Sequence, residues 1–369
     1  MKIRIAISAL FLLLNCQNNK DTAIEKNDSY SFFVGTYTNT ESQGIYKYTL
    51  QKDGILKRLG LVAKLTDPSF LTMSSDKKFL VAVSEIEPIG AVESFLIIGD
   101  SLKFVSRSSS GGAHPCFVTT NNNGFVLTAN YTGGNIGLLK LNEKGELSDL
   151  LDVQQHTGKG TTERQEAPHV HSTWFQPDGN TIISVDLGTN ELWFSHLDIQ
   201  SQKLILSDAQ TLKMSEGAGP RHLTFHPNGK WIYVLNELNA TVVLVQKTEN
   251  GKYIKGSPVS TLPLGYTDAN TCADIHISSD GNFVYASNRG HNSIAIYKVN
   301  ANNGSLTLID HQSTLGNGPR NFSLSPNDNY LLVANQHTNN IVSFKRDKNT
   351  GLLTSMDQIE APTPVCILF

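Results

Sequence analysis

A two-strand pattern returns along this chain at nearly even spacing, and few folds accept such a repeat. The stretch "PRHLTFHPNGKWIYVLNE", from Pro220, has an alternating run, a Pro-Asn-Gly turn and a second apolar run, which reads as a β-hairpin. The pattern also begins at Pro68, Pro115, Val170, Cys272 and Pro319, and a half copy, "PVCILF", begins at Pro364. Successive starts are 47, 55, 50, 52, 47 and 45 residues apart. The missing half lies at the other end, where "SFFVGTYTNTESQGIYKYTL", from Ser31, matches "YLLVANQHTNNIVSFKRD", from Tyr330, in apolar rhythm. Residues 30–369 divide into seven units of about 49 residues, a length that suits a four-stranded propeller blade. Each unit carries a third run, such as Ile294 to Val299, and a weaker fourth, while helical periodicity is essentially absent. Two packed β-sandwiches explain neither the spacing nor the split copy. The sequence predicts an all-β, seven-bladed β-propeller over 30–369 with no second domain. The N-terminal strands are expected to close the ring by completing the C-terminal blade.

The first residues read differently. Lys2 and Arg4 precede an apolar run from Ile5 to Leu14, which is too short for a transmembrane helix and has the layout of a secretory signal. Cys16 follows directly, then a polar stretch. The expectation is a lipoprotein signal over 1–16 with Cys16 lipidated, and a polar tether over 17–29. That places the protein in the cell envelope on the periplasmic side, or in the cytoplasm if the signal is not used. The net charge of −3, without long basic runs, argues against nucleic acid, and membrane contact is expected only through the lipid. Cys116, Cys272 and Cys366 have no zinc or disulfide spacing and read as buried free thiols. A closed ring leaves only protected sheet edges, so a monomer is expected.

In a propeller the first strand of each blade lines the central channel, and antiparallel pairing brings its start beside the end of the second strand. Residues ahead of the first strands and after the second strands should therefore share one mouth. Around that ring stand His114, Asn130 and Tyr131; His169, His171 and Asp186; Arg221, His222, Asn236 and Glu237. Asp274, His276, Asn288 and Arg289 follow, then Arg320, Asn321, Asn335 and Gln336, with Glu85 and Tyr37 completing the circle. The turn face carries Pro, Asn, Asp, Gly and Ser, as turns require. Asn or Asp at a strand end commonly shapes a loop. Arginines converging from three blades, however, point to an anionic ligand. His169 and His171 could face one ion with Asp186, but the spacing matches no usual zinc site and the nearby arginines oppose a cation. No metal and no cofactor are expected.

The motifs "HPCFVTTNNNGFVLTANYTGGNIGLLKL", "PHVHSTWFQPDGNTIISVDLG", "GPRHLTFHPNGKWIYVLNEL", "DIHISSDGNFVYASNRGHNSIAIY" and "GPRNFSLSPNDNYLLVANQHTNNIVSF" resemble, in order, those of the seven-bladed propeller lactonases. That family includes propeller-type 6-phosphogluconolactonases and carboxy-muconate cyclases. The resemblance implies metal-independent hydrolysis of a sugar lactone, 6-phospho-D-glucono-1,5-lactone to 6-phosphogluconate. It implies a site at this mouth with His171, Arg221, His222, Glu237, His276, Arg289 and Arg320. The signal-like N-terminus departs from the cytosolic setting expected for a phosphorylated substrate.

Lactone hydrolysis needs a base for the attacking water and donors for the oxyanion. Glu237 is the first candidate base, with His171 or His276 next, and His222 or an arginine would meet the oxyanion. Arg289 and Arg320 would bind an anionic tail. His114, Asn130, His169, Asp186, Asn321 and Gln336 are further candidate substrate contacts. No G-x-S-x-G elbow is present, so a covalent acyl-enzyme is not expected. A neutral or carboxylated lactone, a cycloisomerase reaction and a non-enzymatic binding propeller are the alternatives.

Overall fold

The computed structural model describes residues 29–369; the expected signal segment, Cys16 and the tether up to residue 28 lie outside the described residues. The described chain forms seven four-stranded antiparallel sheets. Six run in chain order, each made of four consecutive strands. Their first strands are β4 (Leu71–Met73), β8 (Pro115–Thr120), β12 (Val170–Phe175), β16 (Pro220–Phe225), β20 (Thr271–Ile277) and β24 (Pro319–Leu324). The seventh sheet joins the ends of the chain. Its inner strand β28 (Pro364–Leu368) pairs antiparallel with β1 (Ser29–Thr36), setting Val34 opposite Ile367, and β2 (Gly44–Gln51) and β3 (Leu56–Lys64) complete it. The split repeat therefore closes the ring as the sequence requires.

Second strands such as β17 (Trp231–Asn236) and β25 (Tyr330–Asn335) are buried on both faces, which accounts for their continuous apolar runs. Adjacent blades share their cores. Tyr233, Leu235 and Val242 of one blade pack with Ile275, Val284 and Tyr297 of the next. Phe32, Val34 and Tyr48 of the closing blade pack with Leu332 and Ala334 of its neighbour. Buried tyrosines reach a carbonyl across the joint: Tyr233 Oη donates to Gly304 O at 2.8 Å and Tyr285 Oη to Gly351 O at 2.9 Å. Each ring thus adds apolar area without leaving its hydroxyl unpaired. Gly229 and Gly281, in the hairpin turns, have φ of 70° and 74°, a left-handed conformation that glycine takes without steric cost. Cys116, Cys272 and Cys366 are buried free thiols.

Candidate active site

Several hairpins are closed at the mouth by one recurring hydrogen bond. The amide of the residue after the second strand donates to the carbonyl of the residue ahead of the first strand. Tyr131 N donates to His114 O at 2.9 Å, Glu237 N to Gly219 O at 2.7 Å and Gln336 N to Gly318 O at 2.9 Å. The residue ahead of the first strand must turn sharply into it, so Gly219 and Gly318 have φ of 61° and 70°, and His114 takes φ 51° in the same place.

One residue further, the first strands carry a bulge. Register skips between Pro115 and Phe117, Val170 and Ser172, Pro220 and His222, and Pro319 and Asn321. The extra residues are Cys116, His171, Arg221 and Arg320. A bulge re-aims its extra side chain out of the strand alternation. Here Cys116, His171 and Arg320 line one cavity of about 400 Å³ at the channel mouth, together with Glu85, Tyr131, Arg164, Glu237, Thr271 and Arg289. By comparison, a cleft of about 270 Å³ on the turn face, between Ser74–Asp76 and Asn121–Gly124, has no arginine or histidine in its lining.

Glu237 is the electrostatic centre of the cavity. Its Oε1 lies 3.1 Å from Arg164 Nη2, and its Oε2 lies 3.0 Å from both Arg289 Nη2 and Arg221 Nε. The Arg221 contact is an ion pair without the alignment of a hydrogen bond. Burial pushes the Glu237 carboxyl up, but Arg289, Arg221, Arg164 and Arg320 together hold it below the usual carboxylate range. Burial and the neighbouring Arg289 and Arg320 push the Arg221 guanidinium down to about 10. Burial, reinforced by Arg221, His222 and Arg320, drives His171 well below its ordinary range, so this imidazole is neutral at pH 7. Burial likewise pushes the Cys116 thiol up, so no thiolate nucleophile lines the cavity.

Beneath the cavity a polar layer closes the channel. His222 Nδ1 pairs with Asp274 Oδ1 at 2.8 Å, Asn321 Nδ2 donates to Asp274 Oδ2 at 2.6 Å, and Ile367 N donates to Asn321 Oδ1 at 2.6 Å. His276 Nε2 lies 3.0 Å from Asp274 Oδ2 on the far side. There it lines a second, more apolar cavity of about 280 Å³ with Phe117, Trp174 and Phe369.

The site residues predicted from sequence therefore separate. His171, Glu237, Arg289 and Arg320 line the mouth cavity, and Arg221, His222 and Asn321 line the constriction below it. His276 is displaced to the opposite cavity, because it stands two residues beyond Asp274 along β20. Asn130 and Asp186 are fully buried and not in the cavity: Asn130 Nδ2 donates to Ser110 O and Asn135 Oδ1 at 3.0 and 2.7 Å. Asp186 accepts from the amides of His169 and Thr189, both at 2.9 Å, and pairs with His156 Nδ1 at 2.8 Å. His169 stacks on Tyr131 with centroids 4.5 Å apart and contacts Glu166 Oε1 at 3.1 Å. His114 Nδ1 meets Thr132 Oγ1 at 2.8 Å, and the Gln336 side chain does not reach the cavity. Among the described residues, no three His, Cys, Asp or Glu side chains gather as metal ligands.

Arg164 is the charged cavity-lining side chain missed from the sequence. It projects from the loop between β11 (Asp152–Gln155) and β12, where its neighbour Gln165 is buried and donates to Leu187 O at 2.8 Å. Arg164 thus hangs over the mouth, donating to Tyr131 Oη at 3.0 Å and to Glu237. Nothing in "TTERQEAP" marks it, since an exposed loop arginine is ordinarily solvated.

Comparison with known proteins agrees with this architecture. Residues 31–369 match the family described as "Lactonase, 7-bladed beta-propeller". A Bacillus subtilis 6-phosphogluconolactonase is 37% identical over 298 residues, covering 79% of this chain and 84% of its own length. A crystal structure from Bacteroides fragilis, described as a candidate 6-phosphogluconolactonase, is 35% identical with a TM-score of 0.86, covering 93% of this chain and 98% of that one. The periplasmic gluconolactonase of Pseudomonas aeruginosa is 28% identical with a TM-score of 0.88, over 92% of this chain and 98% of its own. The chain belongs to the seven-bladed β-propeller lactonase family.

Proposed function

We propose that the chain hydrolyses a sugar lactone carrying an anionic group, in the first instance 6-phospho-D-glucono-1,5-lactone, to the open-chain acid. The observation that carries this reading is the charge at the mouth. Arg164, Arg289 and Arg320 line the cavity, with Arg221 just below it, beside two carboxylates, Glu85 and Glu237, of which only Glu237 is ion-paired with guanidinium groups. Such an excess of guanidinium in a cavity meets a phosphate or carboxylate far better than a neutral polyol. The volume of about 400 Å³ is that of a small-molecule site. With the lactone carbonyl among the arginines, their N–H groups are placed to stabilise an oxyanion, while a carboxylate at the mouth serves the attacking water. The relatives named as 6-phosphogluconolactonases support the same chemistry.

A second reading replaces the substrate with neutral D-glucono-1,5-lactone. It is favoured by the likeness to a periplasmic gluconolactonase and by the signal-like N-terminus, which suits a compartment where sugar phosphates are scarce. Hydrolysis of both fresh lactones by the purified chain, with chelator present, separates the two. The expected result is a kcat/KM at least about tenfold higher for the phosphorylated lactone, the worth of roughly one charge-assisted contact. A preference for the neutral lactone favours the second reading, and no turnover of either removes the lactonase assignment.

A further inference from the structure

Glu85 and Glu237 occupy the same place in two different blades. Each follows the second strand of its hairpin and donates its amide to the residue ahead of the repeat's start, Glu85 to Asp67 O, before Pro68, at 3.0 Å and Glu237 to Gly219 O, before Pro220, at 2.7 Å. Both line the mouth cavity. Their surroundings are opposite. Glu237 is occupied by three guanidinium groups that leave it little affinity for a proton. Glu85 touches no guanidinium directly. Tyr37 Oη donates to its Oε2 at 3.0 Å, and the Ser69 hydroxyl lies beside it without the alignment of a hydrogen bond. Arg320 makes no ion pair with it; its Nη2 donates to Tyr37 Oη at 2.8 Å, with the guanidinium 5.2 Å from the ring centroid, and it acts on Glu85 through its charge. A neutral phenol therefore bridges Glu85 and Arg320.

Burial is the largest influence on Glu85. Burial raises its carboxyl, and Arg320, Ser69, Tyr37 and His114 only partly offset this. Tyr37 is itself raised, chiefly by burial, so it stays protonated and keeps donating. Two carboxyls in one cavity with proton affinities pushed apart is the pattern that separates a proton-transfer group from a charge-holding one. His171, the other basic group in the lining, is held neutral by forces that also weaken it as a base.

We propose that Glu85 is the catalytic residue that moves the proton in lactone opening, and that Glu237 organises the arginines. This rests on the lactonase reading above. The water oxygen bonds to the lactone carbonyl carbon while Glu85 takes a water proton, leaving a tetrahedral oxyanion. The bond from that carbon to the ring oxygen then breaks as the carbonyl re-forms, and Glu85 returns its proton to the departing ring oxygen. The resulting carboxylic acid ionises into solvent. One water is consumed, and Glu85 ends as it began.

The test is the pH profile of kcat/KM for the purified chain on its best lactone, beside Glu85→Gln and Tyr37→Phe, after subtracting uncatalysed hydrolysis. For the wild type the acid limb is expected above the ordinary glutamate range. Glu85→Gln is expected to lower kcat by about 10²–10³-fold with little change in KM and to abolish that limb. Tyr37→Phe removes a donor to the carboxylate and is expected to shift the limb to higher pH. Glu85→Gln turning over within about threefold of the wild type, with the limb intact, overturns the proposal and leaves the lactonase reading standing. If Glu85→Gln fails to fold, the wild-type limb decides, and a limb below the ordinary glutamate range overturns the proposal. A wild-type chain that opens no lactone overturns the lactonase reading and this proposal together.

Discussion

Glu237 with its three arginines shows how one carboxylate sets the character of the whole mouth. The guanidinium groups of Arg221 and Arg289 would repel each other in a buried site, and Glu237 between them at 3.0 Å makes their approach tolerable. Arg164 differs, because its side chain is about half exposed and its loop can yield a contact to a ligand. Arg164→Ala should therefore raise KM for the phosphorylated lactone about tenfold and for the neutral lactone less than about threefold, with kcat little changed. Steady-state kinetics on both substrates checks this; equal effects would show that Arg164 does not read the charge. Much of this chemistry was legible in the sequence. Glu237, Arg289, Arg320 and His171 stand at hairpin ends, where antiparallel pairing alone places them. Arg164 was not legible, because its position depends on the buried anchoring of Gln165 and on the path of a loop with no periodicity.

At the scale of the strand, the bulge is what turns a regular hairpin into a site. A strand that kept strict alternation would send every second residue to the channel, and the structure instead inserts one extra residue in each of four first strands to carry Cys116, His171, Arg221 or Arg320. Behind the bulges, the asparagines that end the second strands are structural. Asn130, Asn288 and Asn335 each donate from Nδ2 to a backbone carbonyl just past the outer strand of the preceding blade, at 3.0, 2.8 and 3.0 Å. Asn130→Ala leaves a buried carbonyl short of a donor and should cost about 1–3 kcal/mol, seen as a lower midpoint in denaturant. Its KM should stay within about twofold of the wild type. A large KM change without loss of stability would return Asn130 to the substrate contacts. The hairpins and their turns were legible from alternation and Pro-Asn-Gly chemistry. The bulges were not, since one extra residue leaves no mark in short first strands that mix polar and apolar residues, such as PRNFSL.

Across the whole molecule, the polar layer beneath the cavity ties the inner strands of several blades together. Ser172 Oγ donates to Arg221 O at 2.8 Å, and the chain of contacts continues through His222, Asp274 and Asn321 to the amide of Ile367 in the closing blade. Burial, then Arg221, pushes His222 down to about 4, so it is neutral in the native state. An unfolded histidine titrates near 6.5. Between those values the unfolded chain binds more protons than the native one, so stability falls as pH drops from about 6.5 to 4. At about 1.4 kcal/mol per pKa unit, His222 accounts for roughly 3 kcal/mol of that loss. His171 acts in the same direction, while Glu85, whose carboxyl is raised, offsets part of it. His276, pushed down by burial but raised on balance by Asp274, also offsets part of it. Melting temperatures across this window are therefore compared with those of His222→Gln, and identical profiles would show that the layer does not hold His222 neutral.

The sequence alone determined the number of blades, the closure of the ring and the end of the channel at which His, Arg and Glu collect. These follow from repeat spacing and alternation, which are properties of neighbours in the chain. Tertiary structure alone decided that His276 faces the opposite cavity, that Asp186 and Asn130 serve the backbone, and that Glu237 and Glu85 differ so sharply. Proton affinity and side-chain direction depend on groups brought from other blades. In a ring of seven hairpins those partners lie some fifty residues or more away in sequence, at distances only folding sets.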